Sequence, residues 1–170
     1  RPSDRAELFE LHPADYDRLA QLCAGDRRVR VHKSDGPRSI AGCLPPPSRR
    51  GLVLIDPSYE LASDYDDALD CLRTALRRFE TGVYMLWYPI LDRAEARELP
   101  DRALALSDRP CLHLSLSMRA AVPGQRGMFG SGLVVFNPPW TMADSMRMAL
   151  PWLCEQLAPE SASWKVESRE

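Results

Sequence analysis

Asp56-Pro57-Ser58-Tyr59 closes the apolar run Gly51–Ile55. A carboxylate, a rigid proline and an aromatic ring at a strand end suit one kind of chemistry, the orientation of a planar amine. The exocyclic amine of a nucleobase is a poor nucleophile because its lone pair is delocalised into the ring. Two acceptors side by side can take its two N–H bonds and turn the lone pair toward an electrophile. The Asp56 side chain would be one acceptor. The Pro57 carbonyl, aimed by the fixed φ of proline, would be the other. Pro57, Ser58 and Tyr59 would line the substrate side, with Tyr59 stacked on a flipped base. The gain would come from positioning and preorganised acceptors rather than from a strong base. D-P-x-Y alone is also an ordinary turn carrying an aromatic.

Its company strengthens the signal. In an open α/β sheet, ligands sit beyond the carboxyl ends of the strands. Glu10 ends one apolar run and Asp35-Gly36 follows another, both upstream of Asp56. An acid at a strand end can take the hydroxyls of a ribose, which suits Glu10. Asp35 could accept from an adenine amine, with Gly36 letting the backbone approach. Together they point to an adenosine-containing cofactor, although each alone fits ordinary loop and cap polarity. Asn137-Pro138-Pro139-Trp140 is a second pattern of the same type. Too little chain follows it to complete a sheet, so it reads as a structural turn. Arg126, a basic residue among glycines in a long loop, suits a phosphate contact.

His12, His32 and His113 are far apart, and no Ser-His-Asp, P-loop or metal-ligand pattern is visible, so no metal is expected. The five cysteines are scattered without a C-x-x-C pair, which argues against a disulfide framework and suits a reducing, cytoplasmic setting. Lys+Arg 22 against Asp+Glu 24 gives a net charge of −2, so any nucleic-acid contact must rest on a local basic patch. No apolar run approaches the ~20 residues of a membrane span, and no signal-peptide pattern opens the chain. The 170 residues fit one domain, 1–170, with a sizeable core, and the chain is expected to be monomeric.

The elements that must position these residues are strands alternating with helices. Strands are expected at Ala6–Leu11, Arg28–Lys33, Gly51–Asp56, Val83–Tyr88, Cys111–Met118 and Leu133–Asn137, with a possible edge strand at Ser163–Glu167. Gly51–Asp56 is the most apolar and is expected at the centre of a sheet covered on both faces. Helices are expected at Pro13–Cys23, briefly after Pro37, and from Asp64, with Ala68, Leu69, Leu72, Leu76 and Phe79 on one stripe. Arg93–Leu104 reads as a helix interrupted at Pro100, and Thr141–Leu157 as one broken or kinked near Pro151. The alternation implies a mainly parallel α/β sheet with helices on both faces, ending in an antiparallel hairpin.

Longer blocks sharpen this reading. "ELHPADY", "KSDG", "SRRGLVLIDPSYE", "DYDDAL", "RFETGVYMLWYPI", "RGMFGSGLVVFNPPW" and "LPWL" occur in this order. Over Arg1 to Trp164 the chain resembles the RlmJ family of bacterial 23S ribosomal-RNA adenine-N6 methyltransferases. The resemblance implies a Rossmann-like methyltransferase fold, S-adenosylmethionine as donor and ribosomal RNA as partner. It matches Glu10 to the cofactor-ribose acid, Asp35 and Gly36 to the adenine-side pair, and Asp56 to the catalytic residue. The family pattern is usually D-P-P-Y, and Ser58 stands here for the second proline. The family also has an upstream Gly-containing cofactor loop after a first strand, and a helical insertion. Neither precedes Arg1, so the chain is expected to be the carboxyl-terminal part of a longer protein, with the first strand missing between Ala6–Leu11 and Gly51–Asp56. The same planar-amine chemistry would serve a DNA adenine or protein glutamine methyltransferase. A non-catalytic methyltransferase-fold module that binds RNA or a partner is the alternative from another class.

Overall fold

A computed structural model of the chain describes residues 2–122 and 124–169. The apolar runs become seven strands: β1 (Ala6–Phe9), β2 (Val29–His32), β3 (Leu52–Ile55), β4 (Val83–Ile90), β5 (Cys111–Ser117), β6 (Gly130–Phe136) and β7 (Ser163–Arg169). The helices are α1 (Pro13–Cys23), α2 (Gly36–Ser39), α3 (Ala62–Arg78), α4 (Ala94–Leu104) and α5 (Met142–Leu157), and a 3-10 turn, Ile40–Cys43, follows α2.

The expected stripe drives α3 into the core. Tyr65, Ala68, Leu69, Cys71, Leu72, Ala75 and Leu76 are all buried along it. Burying one such large apolar side chain is worth about 1.5–3 kcal/mol. On the sheet, the facing residues are Val53, Ile55, Tyr84, Leu86, Tyr88, Val134 and Phe136, joined by Leu99 and Ala103 of α4. The opposite face holds Leu112, Leu114 and Val135, covered by Met142, Ala143 and Met146 of α5. The two helices with an interior proline continue through it, Pro100 in α4 and Pro151 in α5. Each proline removes one backbone hydrogen bond. The helices persist because apolar residues are buried on both sides of it, Leu99 and Ala103 in α4, Leu150 and Cys154 in α5.

The described strands are not mainly parallel as expected, and they fall into two sheets. β1 and β2 pair in parallel as a sheet of two strands, and the other five run in the order β3-β4-β6-β5-β7. Only β3–β4 is parallel within the five; β4–β6, β5–β6 and β5–β7 are antiparallel. The late hairpin β5–β6 forms as expected. β6 starts at Gly130, earlier than the Leu133 expected, because the ladder already pairs Gly130 with Ile90 of β4 and Ser117 of β5. A Cβ on Gly132 would lie 2.1 Å from Cζ of Tyr88. β3, expected at the centre, lies instead at an edge and pairs only with β4. Its outward residues Leu52 and Leu54 are 62% and 57% exposed, so one face of this apolar strand is bare.

Candidate active site

β3 delivers Asp56 to the carboxyl edge of the five-stranded sheet. The loop that follows is tied down at several points. Tyr59 has φ +56°, in the left-handed region that a bulky side chain rarely enters. Its ring is 2% exposed, and its hydroxyl donates to the Trp87 carbonyl at 2.5 Å. The ring centroid lies 4.7 Å from that of Tyr65 and 6.0 Å from that of Trp87. Burial first, and then the neighbouring Asp56 charge, push the Tyr59 phenol up, so it stays protonated and remains a donor. The side chain expected to stack on a base is therefore buried in this structure, beside the rings of Tyr65 and Trp87.

On the other side of the loop, Asp64 gathers two donors. Its Oδ2 accepts from Ser58 Oγ at 3.2 Å and from the Leu61 N–H at 3.1 Å. The helix α3 is thus capped by a carboxylate in its first turn that also holds Ser58. Where a second proline would stiffen the loop through its ring, a side-chain hydrogen bond ties it here. Arg93, in the turn after β4, completes the frame. Its Nη1 reaches the carbonyls of Tyr59 and Glu60 at 3.4 Å each, and its guanidinium lies 5.6 Å from the Tyr65 ring centre.

Within this frame two acceptors are unclaimed. Neither the Asp56 carboxylate nor the Pro57 carbonyl has a hydrogen-bond partner among the described residues. Asp56 is exposed, yet enough protein surrounds its carboxyl that loss of water holds it above the ordinary aspartate range. It can accept, but it is not arranged as a strong base.

The remaining expected residues fall into two groups. β5 runs in the same direction as β4, so the β5–β6 loop carrying Arg126 opens on the same edge as Asp56. Asp92 Oδ2 accepts from the Gly124 N–H at 2.7 Å and ties that loop to the turn bearing Arg93. Arg126 itself is exposed, with no hydrogen bond or ion pair among the described residues. Glu10 and Asp35 follow the two strands of the smaller sheet, and no hydrogen bond links either to Asp56 among the described residues. Glu10 Oε1 accepts from the His12 N–H at 2.7 Å, and the other oxygen has no hydrogen-bond partner among the described residues. Asp35 caps α2, accepting from the Arg38 N–H at 3.1 Å, and pairs with Arg38 Nε at 3.3 Å. A Cβ on Gly36 would lie 3.2 Å from Cβ of Phe9, so the backbone there is packed closely against β1.

Asn137 lies at the opposite edge, since β6 runs against β4. Its Nδ2 donates to the carbonyls of Glu80 at 2.9 Å and Gly82 at 2.7 Å, and its φ is +51°. These two bonds tie the turn after β6 to the α3–β4 connection. Sequence reasoning missed Tyr65 and Arg93. Tyr65 looked like one more helix residue, and the only signal for Arg93 was a cation just past the end of a strand.

A family model described as "Ribosomal RNA large subunit methyltransferase D, RlmJ" matches residues 1–169. The chain belongs to this family. It is 43% identical to "Ribosomal RNA large subunit methyltransferase J" of Haemophilus influenzae over 168 residues, which is 98% of this chain and 59% of that protein. The protein of the same name from Escherichia coli is 41% identical over 161 residues, 94% of this chain and 56% of its own length. The chain thus spans little more than half the length of these relatives. A crystal structure of a Legionella pneumophila protein superposes with a TM-score of 0.91 at 33% identity, covering all of this chain (100%) and 62% of its own.

Proposed function

We propose that this chain supplies the amine-orienting half of an S-adenosylmethionine-dependent methyltransferase that acts on the N6 of an adenine in 23S ribosomal RNA. The observation that carries the reading is the pair of unclaimed acceptors, Asp56 carboxylate and Pro57 carbonyl, on a loop held at every other point. Two N–H bonds donated to this pair would fix the amine's plane and direct its lone pair away from the protein wall. Arg126, on the same edge, would take a phosphate and help seat the strand.

The donor group fits the residues at the ends of β1 and β2 in part. Glu10 keeps one carboxylate oxygen for a ribose hydroxyl, and Asp35 with Gly36 forms a compact acidic turn beside it. When bound, the donor would supply an electrophilic methyl group. Glu10 and Asp35 would hold its adenosine portion, and Asp56 and Pro57 would hold the acceptor amine.

The Rossmann-like fold belongs to the same reading. β1 pairs only with β2, and β3 only with β4, so each has one edge without a partner among the described residues. A parallel strand from sequence outside 1–170 would pair with both edges and join the two sheets. The chain would then be the carboxyl-terminal part of a single methyltransferase domain. The length that the curated relatives have beyond their match to this chain is ample for such a strand and for cover over Leu52 and Leu54.

The test is methyl transfer by the complete polypeptide containing this chain, with labelled donor, on 23S RNA, DNA and protein. Label is expected in RNA adenine. Asp56→Ala should lower the single-turnover rate by about 10²–10³, the usual loss for one preorganised hydrogen-bonding group, with an unchanged melt. Label confined to DNA or protein, or an active Asp56→Ala, overturns the proposal.

A further inference from the structure

We propose that Met128, in the β5–β6 loop, is a wedge that enters the RNA stack as the target adenine leaves it. The inference rests on the reading of this chain as part of an RNA adenine methyltransferase, and adds the residue that holds the substrate open. Methyl transfer to a nucleobase amine requires the base to turn out of its stack, by about 180° around the backbone. The base then lies on one side of the backbone and its vacated place on the other. Proteins that unstack bases insert apolar side chains between the steps, methionine among them. An unbranched, polarisable thioether suits an irregular gap between aromatic faces.

One exposed methionine is ordinary on a protein surface. This one differs in what holds it. Met128 is 55% exposed, and Phe129 after it is fully buried. The Phe129 N–H donates to the Ile90 carbonyl at 2.9 Å, and the Phe129 carbonyl accepts from the Met118 N–H at 2.7 Å. Both ladders of β6 thus run one rung past Gly130. Gly127, before Met128, has φ +111°, a reversal that favours glycine. The Arg119 guanidinium lies 5.1 Å from the Phe129 ring centre, and its Nη2 would be 3.8 Å from a Cβ on Gly127, so it braces both neighbours. The backbone of Met128 is therefore fixed while its side chain stands in solvent. The placement fits a wedge. Ile55 pairs with Leu86, which sets Asp56 level with Trp87, and Ile90, opposite Gly130, lies three residues further along β4. Met128 thus stands about 10 Å across the sheet from β3 and about 10 Å beyond Asp56 along the strands. That is too far back to touch an amine seated on Asp56, and on the same edge. Arg119 and Arg126 flank it in the loop, both exposed and without an ion pair among the described residues. An RNA strand whose phosphates meet these two cations would bring its bases to Met128.

The experiment uses the complete polypeptide and the adenine that takes label from the methyl donor. That adenine is presented in two RNAs, a hairpin that pairs it and the same strand without its complement. Met128→Ala should lower the single-turnover rate on the paired adenine by about 10- to 100-fold, because the variant must unstack the base unaided. On the unpaired adenine, already free to leave its stack, the loss should shrink to about threefold or less. Met128→Leu, which conserves volume, should restore most of the rate on the hairpin. A 2-aminopurine at the same position of the hairpin should brighten on binding wild type and stay dim with Met128→Ala. Equal losses on both RNAs, or no loss on either, overturn the wedge. So does the same brightening with both proteins. Asp56→Ala, run in parallel, isolates the underlying reading. If that variant stays active the acceptor assignment fails, and the ratio of rates on the two RNAs still decides the wedge. Label on protein alone overturns both.

Discussion

Asn137→Ala is expected to act through stability and leave the chemistry alone. The substitution removes two side-chain donors at once, to the carbonyls of Glu80 and Gly82 in the α3–β4 connection. A typical intramolecular hydrogen bond contributes about 0.5–1.5 kcal/mol, so the pair is worth about 1–3 kcal/mol. Alanine must also adopt φ +51°, a region asparagine visits routinely and alanine does not. That adds about 1 kcal/mol, for a total near 2–4 kcal/mol. For a chain of this size 1 kcal/mol shifts Tm by about 2–4 °C, so a fall of about 5–15 °C is expected. Asn137→Gly divides the two contributions, because glycine tolerates the backbone and lacks the donors. It should lose only the hydrogen-bond part. Circular-dichroism melts of both variants, beside single-turnover rates per folded molecule, provide the measurement. An Asn137→Ala protein that melts with wild type and has lost methyl transfer would place the chemistry at the wrong end of the sheet.

Two further outcomes follow from the same geometry. Arg126→Ala should weaken RNA binding and reduce the slope of log K against log salt by about 0.7, the value of one phosphate contact on a single strand; an unchanged slope would show that Arg126 touches no phosphate. Burial, reinforced by Lys165, holds the His113 imidazole below its ordinary pKa despite the opposing pull of Glu167 and Asp101, with the Tyr88 hydroxyl 2.7 Å from its Nε2. A depressed imidazole pKa means that the unfolded chain takes up the proton first, so stability is lost as pH falls below about 6.5. Tm measured between pH 8 and 5, scales on which ~6.5 is the reference value, should therefore fall more steeply for wild type than for His113→Gln, and parallel curves would refute the assignment.

Much of the fold was legible because period and burial coincide. The stripe of α3 and the runs of β3, β4 and β5 carry their own signal. The prolines misled because a local rule met a tertiary override: Leu99 and Ala103 are buried on either side of Pro100. β3 misled for a different reason. Its composition, Leu-Val-Leu-Ile, describes a strand covered on both faces, and the cover over Leu52 and Leu54 is not supplied by the described residues. At the site, residue types pointed to Asp56 and Pro57, and the structure leaves both acceptors open. The direction of the Tyr59 ring was beyond sequence reading, because it turns on a single dihedral and on partners 28 residues away in β4.

The glycines of β6 have a consequence for how the chain avoids mispairing. Side chains alternate along a strand, so a slip of two residues leaves every apolar group on its proper face, and hydrophobic patterning cannot detect the error. Gly132 can. It stands opposite Tyr88, and a two-residue slip in one direction would bring Val134 there, against a ring that already fills the space of a Cβ. A slip the other way would set Gly132 opposite Leu86 and leave a void beneath it, while drawing Gly130 away from Leu116, whose carbonyl oxygen admits no Cβ at that point. The missing side chain thus acts as a key for strand alignment, distinguishing the correct ladder from the two nearest ladders that polarity alone would accept.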